Sequence, residues 1–389
     1  MIDQFESSGS DKLWFVTFIE HGIIHYIISL VITAMDSCMQ QLSSLGLNSQ
    51  PHKTLHVDVL NMNFMPYAHK MDYFVCVQLA YTAVAQFVRA AKESQYNVIG
   101  FIDAGKQTEE TIQKWRQRRE KEARTSKRGV PQGTSTILGD MLRELGVTVH
   151  YSTVDNDDTL AAYAFQNGGQ VLSGDRDFFR YWGHGPSLTV YESYTIQDGK
   201  LVLIPHSNPR CKAGVSKRKV LDPLPETYSY DPTFRQVMVE SKYIRGVPSP
   251  ILKLIPNPHS TAKELRRALY ARMSNEIETV HESYPQWIDG DVQWVQEDTT
   301  PDDSLDHLLE NPMSAWAHVF GHEKRPKGCT TLQWKQHTFA QKLICFDICV
   351  AARRVGGKMD WTILNLLQLA TPRRSGFIRN PHRQHVGTG

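Results

Sequence analysis

The chain has 389 residues, 41% apolar and 22% charged, with a formal net charge of only +2. That balance excludes wholesale disorder and a uniformly basic surface, so any affinity for nucleic acid must come from local basic patches. Its six cysteines (Cys38, Cys76, Cys211, Cys329, Cys345, Cys349) show no CxxC pair or metal-type spacing with histidine, and its 16 histidines are dispersed, which argues against a zinc site or a disulfide framework.

In chain order, residues 1–50 form an N-terminal extension. Trp14 to Met35, WFVTFIEHGIIHYIISLVITAM, is apolar but interrupted by Glu20, His21 and His25, and the 14 residues from Gly22 to Met35 fall short of the ~20 that a bilayer core demands. Lys12 alone, among Asp3, Glu6 and Asp11, does not make the basic start of a signal peptide. The extension is expected to be a peripheral helix or accessory segment, with a membrane or targeting role as the alternative.

TLHVDVL (54–60) then has a buried-strand pattern, and Phe74 to Glu93 has helical spacing. NVIGFID (97–103) is a second strand, followed by a charged helix from Gln107 to Arg124. Ser135 to Leu145 is a helix closed by Gly146, VTVHYST (147–153) a third strand, Asp157 to Gln166 a helix closed by Asn167-Gly168-Gly169, and QVLSGD (170–175) a fourth strand. Strands alternating with helices predict an α/β fold, a mostly parallel sheet flanked by helices.

LTVYESY (188–194) and KLVLI (200–204) around Asp198-Gly199 predict a β-hairpin. The proline-rich, basic stretch 205–226 reads as a loop carrying the domain change. The remainder of the chain reads as mainly helical, broken by PSP and PNP at 248–258 and by EDTTPDDSLD at 297–306, and ends in a basic tail, PRRSGFIRNPHRQHVGTG. The expected division is therefore 1–50, an α/β domain over 51–205, and a helical region over 206–389.

In a parallel sheet, ligands gather at the carboxyl ends of the strands. Asp58 lies late in the first strand and Asp103 ends the second, Asp155, Asp157 and Asp158 follow the third, and Asp175 and Asp177 follow the fourth. Taken singly, each is an ordinary loop residue or helix cap, and for Asp158 alone that reading wins. Taken together, carboxylates converging on one pocket repel unless a cation sits among them. Oxygen-only donors select Mg²⁺ or Mn²⁺, and two such ions about 3.5–4 Å apart can activate water and stabilise the leaving oxygen in phosphodiester cleavage.

The helix after Asp103 carries Lys114, Arg116, Arg118, Arg119, Lys121 and Arg124, with Lys127 and Arg128 just beyond. Interleaved Glu109, Glu110, Glu120 and Glu122 suit a solvated, self-paired face. Its place beside the carboxylates points instead to a guide for a phosphate backbone, with Trp115 stacking on a base and Lys114 and Arg118 nearest the scissile phosphate.

These residues carry a resemblance. GFIDAGKQTEETIQKWRQRREKEA (100–123) resembles the strand, Asp-x-Gly turn and basic arch helix of the flap-endonuclease/XPG-type 5′-nuclease superfamily, which has a PIN-like domain. VDNDDTLAAYAFQNGGQVLSGDRDFF (154–179) resembles its paired acidic motifs, and Asp58 in HVDVLNMNF looks like its first-strand Asp; the likeness spans roughly 150 residues and lies in the order and spacing of several motifs. The resemblance implies a two-metal site with Asp58, Asp103, Asp155, Asp157, Asp175 and Asp177 as ligands and catalytic residues, and Asp158 as an alternate ligand. Asp155 and Asp157 stand where the family often has Glu, one methylene longer.

YIRGVPSPILKLIPNPHSTAKELRRALYARM (243–273) resembles the superfamily's helix–turn–helix element, whose Gly-rich turn binds duplex phosphate. Here only Gly246 of that turn is kept, Pro250 lacks an N–H donor, and the usual upstream Asp is missing, with Glu240 nearby. Asp58 also follows a longer leader than the family's first Asp, a spacing that a start at Met35 would largely restore. These departures resemble the asteroid and constitutive-coactivator branch, in which nuclease chemistry is not assured.

The expected function is a divalent-metal-dependent, structure-specific nuclease acting on DNA or RNA with branched or single-stranded ends, in the nucleus or cytoplasm. The rival is a PIN-like scaffold that binds nucleic acid, or a protein through its helical region, without cutting. A small-molecule phosphatase is disfavoured by the basic helix.

Overall fold

The computed structural model describes residues 53–65, 73–103, 109–125, 133–182, 188–208, 210, 214–231, 242–244, 249, 251–274, 276–355 and 366. The expectations for residues 1–50, Lys127, Arg128, Glu240, Gly246, Pro250 and the basic tail lie outside them.

The β-branched and aromatic runs form strands β1 (Lys53–Asp58), β2 (Tyr96–Asp103), β3 (Thr148–Ser152) and β4 (Gln170–Leu172). The segment after β4 continues as a 3₁₀ turn, Arg176–Arg180, into the short strand β5 (Tyr181–Trp182). A hairpin comes next, β6 (Thr189–Gln197) and β7 (Lys200–Pro205), and its turn residues Asp198 and Gly199 both have positive φ, 49° and 76°. That backbone suits the twist of two antiparallel strands and is tolerated best by Asp or Asn and Gly. Beyond residue 205 come two short strands, β8 (Arg218–Lys219) and β9 (Thr227–Tyr228).

Seven strands make one mixed sheet in the order β7-β6-β4-β1-β2-β3-β9, parallel from β6 to β3 with an antiparallel strand at each edge. The expected α/β fold with a mostly parallel sheet is what forms. The helices are α1 (Tyr73–Glu93), α2 (Glu109–Thr125), α3 (Thr134–Glu144) and α4 (Asn156–Gln166). The strand pleat sorts side chains between two cores. Leu55, Val57, Val98, Ile102, Val149, Tyr151 and Leu172 join one core with α1 and α3. Phe101 and Val171 pack on the other side with Leu160, Ala161 and Ala164 of α4. By the same alternation Asp58, Asp103, Ser152 and Ser173 fall on the α4 side, and the register sets Asp58 beside Phe101 and Asp103 beside Ser152.

Among the described residues, α1 is the one helix long and apolar enough to cross a bilayer. Its apolar positions Phe74, Val77, Ala80, Val84, Phe87, Val88 and Ala91 are buried, while Gln78, Gln86, Arg89 and Lys92 are exposed, the pattern of a helix lying on a sheet.

The later region holds the expected helices, α5 (Pro258–Thr261), α6 (Lys263–Met273), α7 (Pro312–Phe320) and α8 (Thr331–Val355). It also holds a second sheet, β10 (Lys242–Ile244), β11 (Val280–Ile288) and β12 (Asp291–Thr299), within the stretch expected to be mainly helical. The turn of the β11–β12 hairpin is Asp289-Gly290, again with φ positive at both residues, 50° and 85°. Tyr243, expected to open a helix–turn–helix, lies in β10, and the helices of that stretch begin at Pro258. Helix α8 contributes Leu343, Phe346 and Val350 to the core over α1, and Ile344, Cys345 and Ile348 to a separate core with α6 and α7. From Lys53 onward the chain forms one compact unit.

Helix α3 approaches the sheet through Gly139, where an added Cβ would overlap the Tyr151 hydroxyl, itself donating to the Ser135 carbonyl at 3.0 Å. An Ala at an exposed helix position stabilises relative to Gly by about 1 kcal/mol. Here the sign should invert: Gly139→Ala is expected to cost about 1–3 kcal/mol through overpacking, read by urea unfolding. A variant as stable as the parent would contradict this packing.

Candidate functional site

Strand β1 lies between β4 and β2, so the chain moves to one side through β2 and β3 and then returns to the other side of β1. Such a reversal opens a crevice at the carboxyl ends of the central strands, the usual ligand position in a parallel sheet. Asp58 ends β1 beside that reversal, 6% exposed. Its Oδ2 accepts from Asn61 Nδ2 at 3.0 Å and from Ser173 Oγ at 2.9 Å, which ties the end of β1 to the end of β4. Ser173 is itself pinned: its carbonyl accepts from His206 Nε2 at 2.9 Å, so that ring nitrogen carries the proton. Burial pushes the Asp58 carboxyl up from its ordinary range, against the two hydrogen bonds, and the charges of Asp175 and Asp103 add to the rise.

Asp155 caps α4, its Oδ1 accepting from the Asp157 amide at 3.1 Å, and the Ser152–Asn156 hydrogen bond, 2.6 Å, fixes the turn from β3 into the helix. Asp157 then lies in the first turn, where the helix dipole favours a carboxylate. Burial outweighs that help. Together with the charges of Asp155, Asp58 and Asp175, and only partly offset by Arg180, it pushes Asp157 up to about 7. The Arg180 guanidinium stands 3.5 Å from Asp157. Asp175 caps the 3₁₀ turn, accepting from the Asp177 amide at 3.0 Å while its own amide donates to Ser173 Oγ at 3.1 Å.

Five of the seven aspartates are thus within electrostatic reach of a shared corner: Asp58, Asp103, Asp155, Asp157 and Asp175. Asp177 lies on the same turn, and its backbone amide supports Asp175. Asp158 is engaged elsewhere. Its carboxylate accepts from the Tyr181 hydroxyl at 2.7 Å and pairs with Arg218 at 2.8 Å. Oxygen-only donors of this kind suit a hard divalent ion. Among the described residues, however, no three Asp, Glu, His or Cys side chains stand close enough to hold a metal ion as the chain is folded.

The basic helix α2 is divided between two faces. Trp115, expected to stack on a base, meets Trp294 of β12 with ring centroids 5.7 Å apart. Arg116 lies over the Trp294 ring at 5.1 Å, the Trp294 indole donates to Glu120 at 2.7 Å, and Arg124 pairs with Asp291 at 3.2 Å. Arg119 pairs with Glu122 at 2.9 Å and lies over Trp115. Lys114, Arg118 and Lys121 are exposed at i, i+4, i+7 spacing, a basic stripe on one face of the helix. Of the residues expected to bind nucleic acid, Trp115, Arg116, Arg119 and Arg124 are thus engaged in packing or pairing, and Gly246 lies outside the described residues.

The hairpin partner Trp294 and the anchor residues Asn61, Ser173, Arg180 and Arg218 were not among the sequence candidates. Ser173 and Arg180 had a visible signal, since both flank the acidic pair at 175–177. No protein-family model, curated protein or solved structure matches this chain.

The raised Asp157 makes a pH prediction. The folded chain keeps a proton that the unfolded chain releases near pH 4, so stability should fall as pH rises from about 4 to about 7, by up to about 1.4 kcal/mol per pH unit. Asp157→Asn should lessen that slope, leaving the part that the raised Asp58 contributes, and exceed the parent in stability above pH 7. Urea unfolding at pH 5 and pH 8 without divalent ions reads this directly, and an unchanged pH dependence in the variant would refute the assignment.

Proposed function

We propose that this chain is a divalent-metal-dependent nuclease related to the flap-endonuclease/XPG type, with a PIN-like fold, hydrolysing phosphodiester bonds in DNA or RNA that present branched or single-stranded ends. The observation that carries the reading is the mutual electrostatic pressure among Asp58, Asp103, Asp155, Asp157 and Asp175, carboxylates from four strand ends whose crowding is unfavourable until a cation neutralises it. These five residues, with Asp177 beside them, are the candidate donors for Mg²⁺ or Mn²⁺, and would have to draw closer together than they stand here to hold one. When bound, the ions would supply water activation and charge stabilisation at the phosphate.

The chain's own part is orientation and steering. Asn61 and Ser173 keep the Asp58 carboxylate in one orientation. The Lys114, Arg118 and Lys121 stripe draws a polyanion by its charge, in a manner that salt weakens. Asp158 is left out of the ligand set because Arg218 and Tyr181 already occupy it.

A second reading, a nucleic-acid- or protein-binding scaffold that does not cut, has two observations on its side. The acidic donors are not gathered into a ready ligand group among the described residues, and Trp115 packs against Trp294 instead of offering its face to a base.

The two readings separate in a cleavage assay with Mg²⁺ or Mn²⁺ on flap, hairpin and single-stranded DNA and RNA. Asp175→Asn combined with Asp177→Asn should bring cleavage to the metal-free background while the protein stays folded; equal cleavage by parent and variant rejects the nuclease. Binding without cleavage by the parent selects the scaffold. Mn²⁺ should also raise the parent's Tm more at pH 8 than at pH 5.5, since protons compete for the same carboxylates. Reversing Lys114, Arg118 and Lys121 to Glu should weaken single-strand binding and flatten its salt dependence, and unchanged binding would remove α2 from the site.

A further inference from the structure

The stretch 205–226, expected to be a loop at a domain change, contains a basic segment held by the acidic site. Strand β8 pairs in parallel with β5, Tyr181 opposite Arg218 and Trp182 opposite Lys219. Val220, the next residue, packs against the core under α4. Lys217, Arg218 and Lys219 are all exposed.

A continuous chain of contacts joins this segment to the carboxylate corner. Asp157 faces Arg180 at 3.5 Å, Arg180 Nη2 donates to the Tyr181 hydroxyl at 2.8 Å, that hydroxyl donates to Asp158 at 2.7 Å, and Arg218 Nη1 reaches both Asp158 oxygens at 2.8 and 3.1 Å. Asp158 engages only one of the terminal nitrogens of Arg218, whose side chain is half exposed, so other N–H groups remain for a second acceptor.

We propose that Lys217 and Arg218 form a backbone-binding strap for a single nucleic-acid strand, and that Asp158 is its positioning residue. The assignment rests on the nuclease or nucleic-acid-binding reading of the adjacent site. A corner of crowded carboxylates repels phosphate, and a strand can approach it only where fixed positive charge lies close by. The strap meets that need on the side of β5. It also explains why an aspartate next to Asp157 holds an arginine instead of joining the corner itself.

The test uses the full chain and a labelled single-stranded 15-nucleotide oligonucleotide in chelator, with affinity measured by fluorescence anisotropy over a range of salt. Lys217→Ala should lower the slope of log affinity against log salt by about 0.7, the contribution of one phosphate of a single strand that is no longer neutralised. Lys324→Ala removes the same charge from an exposed position in the loop after α7 and should leave the slope unchanged. An unchanged slope in the strap variant, or an equal drop in the control variant, overturns the strap alone. A parent chain that binds no oligonucleotide in chelator overturns the strap, and one that binds none in Mn²⁺ either overturns the reading beneath it as well. For the anchor, Asp158→Asn should speed tryptic cleavage at 217–219 severalfold; an unchanged rate removes Asp158 from its positioning role.

Discussion

Confinement of like charge at the carboxyl ends of β1 to β4 is the constraint around which the first sheet is arranged. Strand order brings Asp58 and Asp175 to the same crevice, pleat parity turns Asp58 and Asp103 toward α4, and the turn after β3 delivers Asp155 and Asp157 to the same side. Burial then makes the crowding costly, because a carboxylate removed from water loses hydration that its neighbours cannot return. A fold that served only stability would have no use for this, since apolar residues at the same ends would pack without penalty. Strain concentrated in one corner is the expected physical mark of a functional site.

The surrounding groups moderate the charge without cancelling it. Hydrogen bonds from Asn61 and Ser173 favour the ionised form of Asp58, yet burial prevails. The α4 N-terminus and Arg180 favour ionised Asp157, and burial prevails again. Arg180 and Arg218 sit on the same run of contacts, one facing the corner and the other reaching solvent. Positive charge on this run therefore extends from the corner at Arg180 out to solvent at Arg218.

The later region acts on the basic helix. Hairpin β11–β12 takes one face of α2 through Trp294, Asp291 and Val292, and Val292 shares a small apolar cluster with Ala123 and Leu252. This packing converts a helix of uniform-looking charge into one with a packed side and a basic stripe. It also explains why Trp115 serves as a brace: an indole beside a second indole and the Arg119 guanidinium gains more from those neighbours than from solvent.

Local pattern was enough for much of the fold. The runs holding Asp58 and Asp103, the helix stops at Gly146 and Gly168, and the Asp198-Gly199 turn all express short-range physics, and each appeared close to its expected position. The same Asp-Gly signal at 289–290, between Trp287-Ile288 and Val292, marked the second hairpin and was overlooked among charged residues. Carboxylates at successive strand ends could likewise be read from spacing, because chain order in a strand–helix repeat implies where strand ends lie. Spacing could not decide which of Asp157 and Asp158 turns inward, since adjacent helix positions point about 100° apart and the partners Arg180 and Arg218 come from later chain. Nor could it divide the arginines of α2 into packed and exposed sets: that depended on Trp294, 179 positions beyond Trp115, and contacts across such distances arise only once the chain has folded.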